Sequence, residues 1–137
     1  MSQAKPTGVG TRTQRPDAEA KAAGSARYVG DLQPPGLLHA AIKPSELASA
    51  RVVSLDVAAA REMDDVACVL TADDLGPENR VGLLRDDQPL LVSDRVRMAG
   101  DRLALVAAET PDACEAALQA IHVDLEPLPG VYDVERA

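Results

Sequence analysis

The sequence predicts an α+β fold, a single small domain of mixed strands with two or three short helices, and three observations lead there. Aliphatic and β-branched runs bounded by turn residues recur at residues 50–56, 66–70 and 103–108. Cys114, Ala117, Leu118 and Ile121 repeat at the i, i+3, i+4, i+7 spacing of one helix face. No unit of sequence is repeated along the 137 residues.

The elements follow in order. Residues 1–13 are polar, without apolar periodicity, and read as an extended N-terminal arm; residues 14–137 form the domain. Over residues 16–23 a proline and early acids precede Lys21, as at a short helix start, and Gly24 ends it in a turn requiring positive φ. Pro34, Pro35 and Gly36 form a turn, the apolar run 37–42 reads as a buried strand, and Pro44 stops it. Residues 50–56, 57–63 and 66–70 read strand, helix, strand. Thr71 caps a single turn with Asp73 and Asp74 at its positive end, and Gly76 and Pro77 open a loop. Residues 79–89 are polar, 90–98 extended, 99–101 a reversal, and 103–108 the return strand. Thr110, Pro111 and Asp112 start the clearest helix, with Asp112, Glu115 and Gln119 opposite the apolar face. Residues 122–125 close the set as a strand, ended by Pro127, Pro129 and Gly130.

Composition excludes several functions. A net charge of −8, from 14 basic against 22 acidic residues, opposes a phosphate backbone, so no nucleic acid partner is expected. No stretch approaches the roughly 20 apolar residues of a membrane span and residues 1–10 lack an apolar signal centre, so no membrane is expected and the chain reads as cytoplasmic. With no Phe or Trp and only Tyr28 and Tyr132, the core is built from Ala, Val and Leu and should be thin. Cys68 and Cys114 sit among apolar neighbours and read as buried thiols.

The polar N-terminal stretch Arg15-x-Asp17-x3-Lys21-x2-Gly24-x-Ala26-x-Tyr28-x2-Asp31 spaces its residues too regularly, and is too polar, to owe the pattern to a core. It resembles the opening of the molybdenum-cofactor subunit in the xanthine dehydrogenase and aldehyde oxidase family, the α/β hammerhead domain. Later blocks are similar in the same order: Asp31 with Pro35, Gly36, Leu37, Leu38, His39 and Ala40; Asp87 to Leu91; Asp94, Val96, Arg97, Gly100 and Asp101; and Val123, Asp124, Leu125, Glu126, Leu128 and Pro129. The resemblance runs from about Gly8 to the end. It departs at Ser45 to Arg51, which lack the family's proline and histidine, at Asp64 and Asp65 in place of Pro-Gly, and at Leu125 in place of tyrosine.

The resemblance implies a domain of α/β-hammerhead type within a molybdenum hydroxylase, an oxidoreductase that hydroxylates carbon with water-derived oxygen and passes electrons through iron–sulfur clusters, often to FAD. It implies as partners a molybdopterin-binding polypeptide, an iron–sulfur subunit and in some members an FAD subunit. The chain's own residues supply no catalytic, cofactor-binding or metal site. A plant-type iron–sulfur cluster needs four thiolates, and Cys68 and Cys114 are only two. The family's glycine-rich cofactor loops and distal glutamate have no counterpart here. Gly8, Gly10 and Gly36 do not open a phosphate-binding unit. His39 and His122 lack a third ligand at metal spacing. The pairs Asp64-Asp65, Asp73-Asp74 and Asp86-Asp87 read as caps or solvated turns.

Arg15, Asp17, Lys21, Tyr28 and Asp31 are the candidate interface. The plain alternative is a solvated turn; the functional reading is a polar contact surface, with Arg15 or Lys21 pairing across the joint and Tyr28 as anchor. The expected function is thus the hammerhead portion or small subunit of a molybdenum-cofactor hydroxylase, structural and assembly-directed and inactive alone. The alternative is a free-standing binding or assembly module that kept the fold.

Overall fold

A computed structural model describes residues 14–136, so the expected arm over 1–13 lies outside the described residues. The chain divides into two compact units, Met1–Pro35 and Gly36–Ala137. In the first, α1 (Ala18–Ala22) is the short helix expected, closed where Gly24 takes φ +70° and the Ser25 and Ala26 amides donate to Ala20 O. A 3₁₀ turn follows at Val29–Asp31.

The second unit holds two antiparallel three-stranded sheets. The first orders β1 (His39–Pro44), β5 (Arg102–Ala108) and β3 (Val66–Leu70) with β5 central; the second orders β4 (Arg95–Val96), β2 (Ala50–Asp56) and β6 (His122–Pro127) with β2 central. Strands β2 and β3 have the bounds their β-branched runs predict. The ten-residue helix α4 (Pro111–Ala120) begins where Thr110 Oγ1 accepts from the Ala113 amide at 3.1 Å, and buries Ala113, Cys114 and Ala117. Helices α2 (Ala58–Arg61) and α3 (Ala72–Leu75) are single turns, the latter followed by a 3₁₀ turn at Gly76–Glu78.

Two hydrophobic clusters form the core. One lies between α4, α2 and the first sheet, around Ala60, Val69, Ala104, Val106, Ala117 and Ile121. The other surrounds Ala50, Val92, Val96 and Leu103, and Leu55 and Val123 border both. Small aliphatics fill them, as the composition predicts.

Two expectations about strands fail. The run 37–42 is not a buried strand: β1 begins at His39, lies at a sheet edge, and leaves Leu37, Leu38 and Ile42 more than two-fifths exposed. Residues 90–98 are not one extended strand, since only Arg95 and Val96 pair. Leu91 and Val92 are consecutive and both buried, which an alternating strand forbids. Their backbone is held irregularly instead: Asn79 Nδ2 donates to Leu91 O at 2.7 Å, Asn79 Oδ1 accepts from the Leu91 amide at 2.8 Å, and the Val92 amide donates to Arg102 O at 2.7 Å.

Candidate functional site

The five residues singled out by spacing are linked in space. Helix α1 sets Asp17 and Lys21 one turn apart, so Lys21 Nζ reaches Asp17 Oδ2 at 2.7 Å. Arg15 Nε lies 2.6 Å from the other oxygen, Asp17 Oδ1. That second approach is an ion contact without hydrogen-bond alignment, because Oδ1 is buried and, among the described residues, accepts from no hydrogen-bond donor. Lys21 Nζ also stands 5.9 Å from the centroid of the Tyr28 ring, within cation–π range. The Tyr28 amide donates to Asp31 Oδ2 at 2.9 Å, while the Asp31 amide donates to Tyr28 O at 3.0 Å. Arg15, Asp17, Lys21, Tyr28 and Asp31 thus form one continuous polar chain.

Arg15 and Lys21 therefore share a partner inside the chain. Two cations meet on one carboxylate, and the Asp31 carboxylate further along the set balances its charge. Tyr28 is 57% exposed beside them, with Val29 more exposed still. A fixed cation pair next to an exposed aromatic ring can receive a carboxylate and an apolar side chain together. The spacing predicts Arg15 or Lys21 pairing across a joint, whereas the structure pairs both with Asp17 of the same chain, and Lys21 against the Tyr28 ring depends on the Gly24 turn.

The second unit offers open clefts. One of about 500 Å³ is lined by Asn79, Arg80, Asp87, Ser93, Asp94 and Arg97 among others, where Ser93 Oγ donates to Asp94 Oδ1 at 3.5 Å, the far limit of a hydrogen bond. Among the described residues, no three His, Cys, Asp or Glu side chains converge as a metal site. Cys114 is buried and its Sγ donates to His39 O at 3.2 Å. Cys68 is exposed, contrary to expectation. It pairs in register with Ala107, whereas Val66, Val69, Ala104, Val106 and Ala108 face α2 and α4. The two thiols occupy opposite faces of one sheet, so they do not share a metal ion, and the donor set does not fit an iron–sulfur cluster. The paired aspartates at 64–65, 73–74 and 86–87 are exposed, and Asp74 caps α3.

Residues 23–129 match the family model described as aldehyde oxidase and xanthine dehydrogenase, a/b hammerhead domain. The chain belongs to this family. The hammerhead domain is 40% identical over 129 residues to the nicotinate dehydrogenase large molybdopterin subunit of Eubacterium barkeri, covering 94% of this chain and 30% of that one. It is 34% identical over 132 residues to the aldehyde oxidoreductase of Megalodesulfovibrio gigas, covering 88% of this chain and 15% of that one. Among solved structures it superposes on a Cu,Mo-CO dehydrogenase with TM-score 0.85 at 32% identity, over 92% of this chain and 16% of that chain. The quinoline 2-oxidoreductase of Pseudomonas putida 86 gives TM-score 0.84 at 34% identity, over 97% and 18%. The hammerhead chain spans less than a third of the length of these relatives.

Proposed function

We propose that this chain is the hammerhead portion of a molybdenum-cofactor hydroxylase, either a small subunit or part of a larger one, with a structural and assembly role and no complete active site of its own. The observation carrying this reading is the match to a large molybdopterin subunit at 40% identity across 94% of this chain but only 30% of that relative. The molybdopterin, the iron–sulfur clusters and any FAD belong to the remainder of the complex, which is cytoplasmic. When bound there, the molybdopterin supplies the hydroxylation chemistry. The residues of this chain hold position: Asp17 fixes Arg15 and Lys21, and Tyr28 presents its ring to the partner. Substrate choice rests with pocket residues outside this chain, so a purine, an aldehyde, a nitrogen heterocycle and carbon monoxide are equally compatible with it.

Native mass spectrometry of the endogenous assembly tests the proposal. The expected result is this domain together with a larger molybdopterin-containing polypeptide. Recovery of the chain only as a monomer would favour the free-standing module, and turnover by the isolated chain would overturn the reading.

A further inference from the structure

Among the described residues of the second unit, the first sheet has one covered face and one bare one. On the covered side Lys43 Nζ donates to Leu118 O of α4 at 2.8 Å, and Ala41, Val106 and Val69 form a cross-strand row in the core beneath α2 and α4. The register places two other rows on the opposite side: Ala40, Ala107 and Cys68, and next to it Ile42, Leu105 and Leu70. All six are apolar, in a chain that is 26% charged. None belongs to either buried cluster; Ala40, Ile42 and Cys68 are exposed and the other three half-buried. The β-bulge between Val66 and Cys68 turns Cys68 onto this face. The same thiol that reads from sequence as a buried small hydrophobe is therefore set in an apolar surface with no described layer over it.

We infer that this bare face of the β1–β5–β3 sheet is the seat of an apolar segment of the molybdopterin-bearing polypeptide, so that Cys68 is buried in the assembled enzyme. The inference rests on the proposed function and adds a surface distinct from the Arg15–Asp31 set. Patch size selects the occupant. Three strands spaced about 4.8 Å apart, two rows deep, present on the order of 200 Å² with side chains, against about 800 Å² per partner in a stable association. A second copy of this chain held through this face alone would be bound too weakly. A relative's polypeptide is more than three times as long as this domain and can cover the face as part of a larger contact.

Iodoacetamide labelling read by peptide mass spectrometry tests it, comparing the isolated chain with the native assembly. In the isolated chain Cys68 is expected to label and Cys114 to resist. In the assembly Cys68 labelling should fall at least tenfold. Unchanged labelling of Cys68, with the molybdopterin polypeptide present, overturns the inference and leaves the proposed function standing. Recovery of no such polypeptide overturns both. Protection of the isolated chain that rises with concentration, with a doubled mass, assigns the face to a second copy and also overturns it. A paired variant guards against a folding artefact: Ile42→Asp should reduce recovery of the partner at least tenfold, while Val53→Asp, at a comparably exposed site on the other sheet, should not. Equal recovery with both variants, each retaining native circular dichroism, would count against it.

Discussion

Asp74 ties three segments together through one oxygen. Its Oδ2 accepts from the Thr71 hydroxyl at 2.8 Å, from the Thr71 amide at 2.7 Å and from Arg61 Nη2 at 2.7 Å, while Arg61 Nη2 also donates to Val69 O at 3.0 Å. The Thr71 hydroxyl, then its amide, and then the Arg61 charge hold the Asp74 carboxyl below the ordinary aspartate range, with slight burial acting the other way. A depressed folded-state pKa means the unfolded chain binds the proton more readily. The stabilisation is thus complete above the ordinary value of about 3.9 and is lost as pH falls through the lower folded-state value. Asp74→Asn should flatten the acid limb of the stability profile below about pH 5, measured by urea unfolding at several pH values; an unchanged acid slope would show that the carboxylate is not the linked group. Thr110 acts more simply, through its hydroxyl on the Ala113 amide. Thr110→Ala should lower unfolding free energy by about 1 kcal/mol, independent of pH between 5 and 8, and loosen amide exchange in the first turn of α4.

At the scale of elements, the stretch between α3 and β5 is ordered by side chains more than by pairing. Half-buried Asn79 presents both halves of its amide to the backbone of buried Leu91, as a ladder partner would. Asn79→Ala would leave the Leu91 amide and carbonyl without partners, at a cost of about 1–3 kcal/mol, with faster hydrogen exchange at Leu91 as the specific readout. Exchange unchanged there would contradict the clamp. This segment also shows where sequence reading stops. Leu90, Leu91, Val92 and Val96 announce burial, but whether their backbone joins a sheet depends on Asn79 and Arg102, from outside that window. Strands β2 and β3 and helix α4 were legible because each owes its form to its own residues: β-branched runs, or a Thr-Pro-Asp start before an apolar stripe. In the polar N-terminal stretch, the interleaved charges singled out residues that lie together in space. The Lys21 contact with the Tyr28 ring was beyond local spacing, since it depends on where Gly24 reverses the chain. The exposure of Cys68 was illegible for another reason: sequence shows that a strand is apolar, not whether a layer covers it.

For the second unit as a whole, stability hangs on very few large side chains. Leu103, Val96 and Val106 are the largest that are fully buried, and alanines occupy much of the remaining core, with Ala50, Ala60, Ala104, Ala108 and Ala117 wholly inaccessible. Alanine contributes little area, so each larger residue carries a greater share than in a core rich in Phe and Leu. Leu103 has a second consequence because of its place in β5. It packs into the cluster around Ala50, Val92 and Val96, while Ala104, Val106 and Ala108 of the same strand enter the cluster beneath α4. Strand β5 is therefore common to both halves of the core, and neither half can lose it and persist. Leu103→Ala should remove about 2–5 kcal/mol, a large fraction of the roughly 5–15 kcal/mol that a domain of ordinary stability holds. The loss should appear as a lower urea midpoint in a single transition, with amides of α4 and β6 becoming exchangeable together. Separate transitions for α4 and for β6 would show instead that the two clusters are independent and that β5 does not couple them.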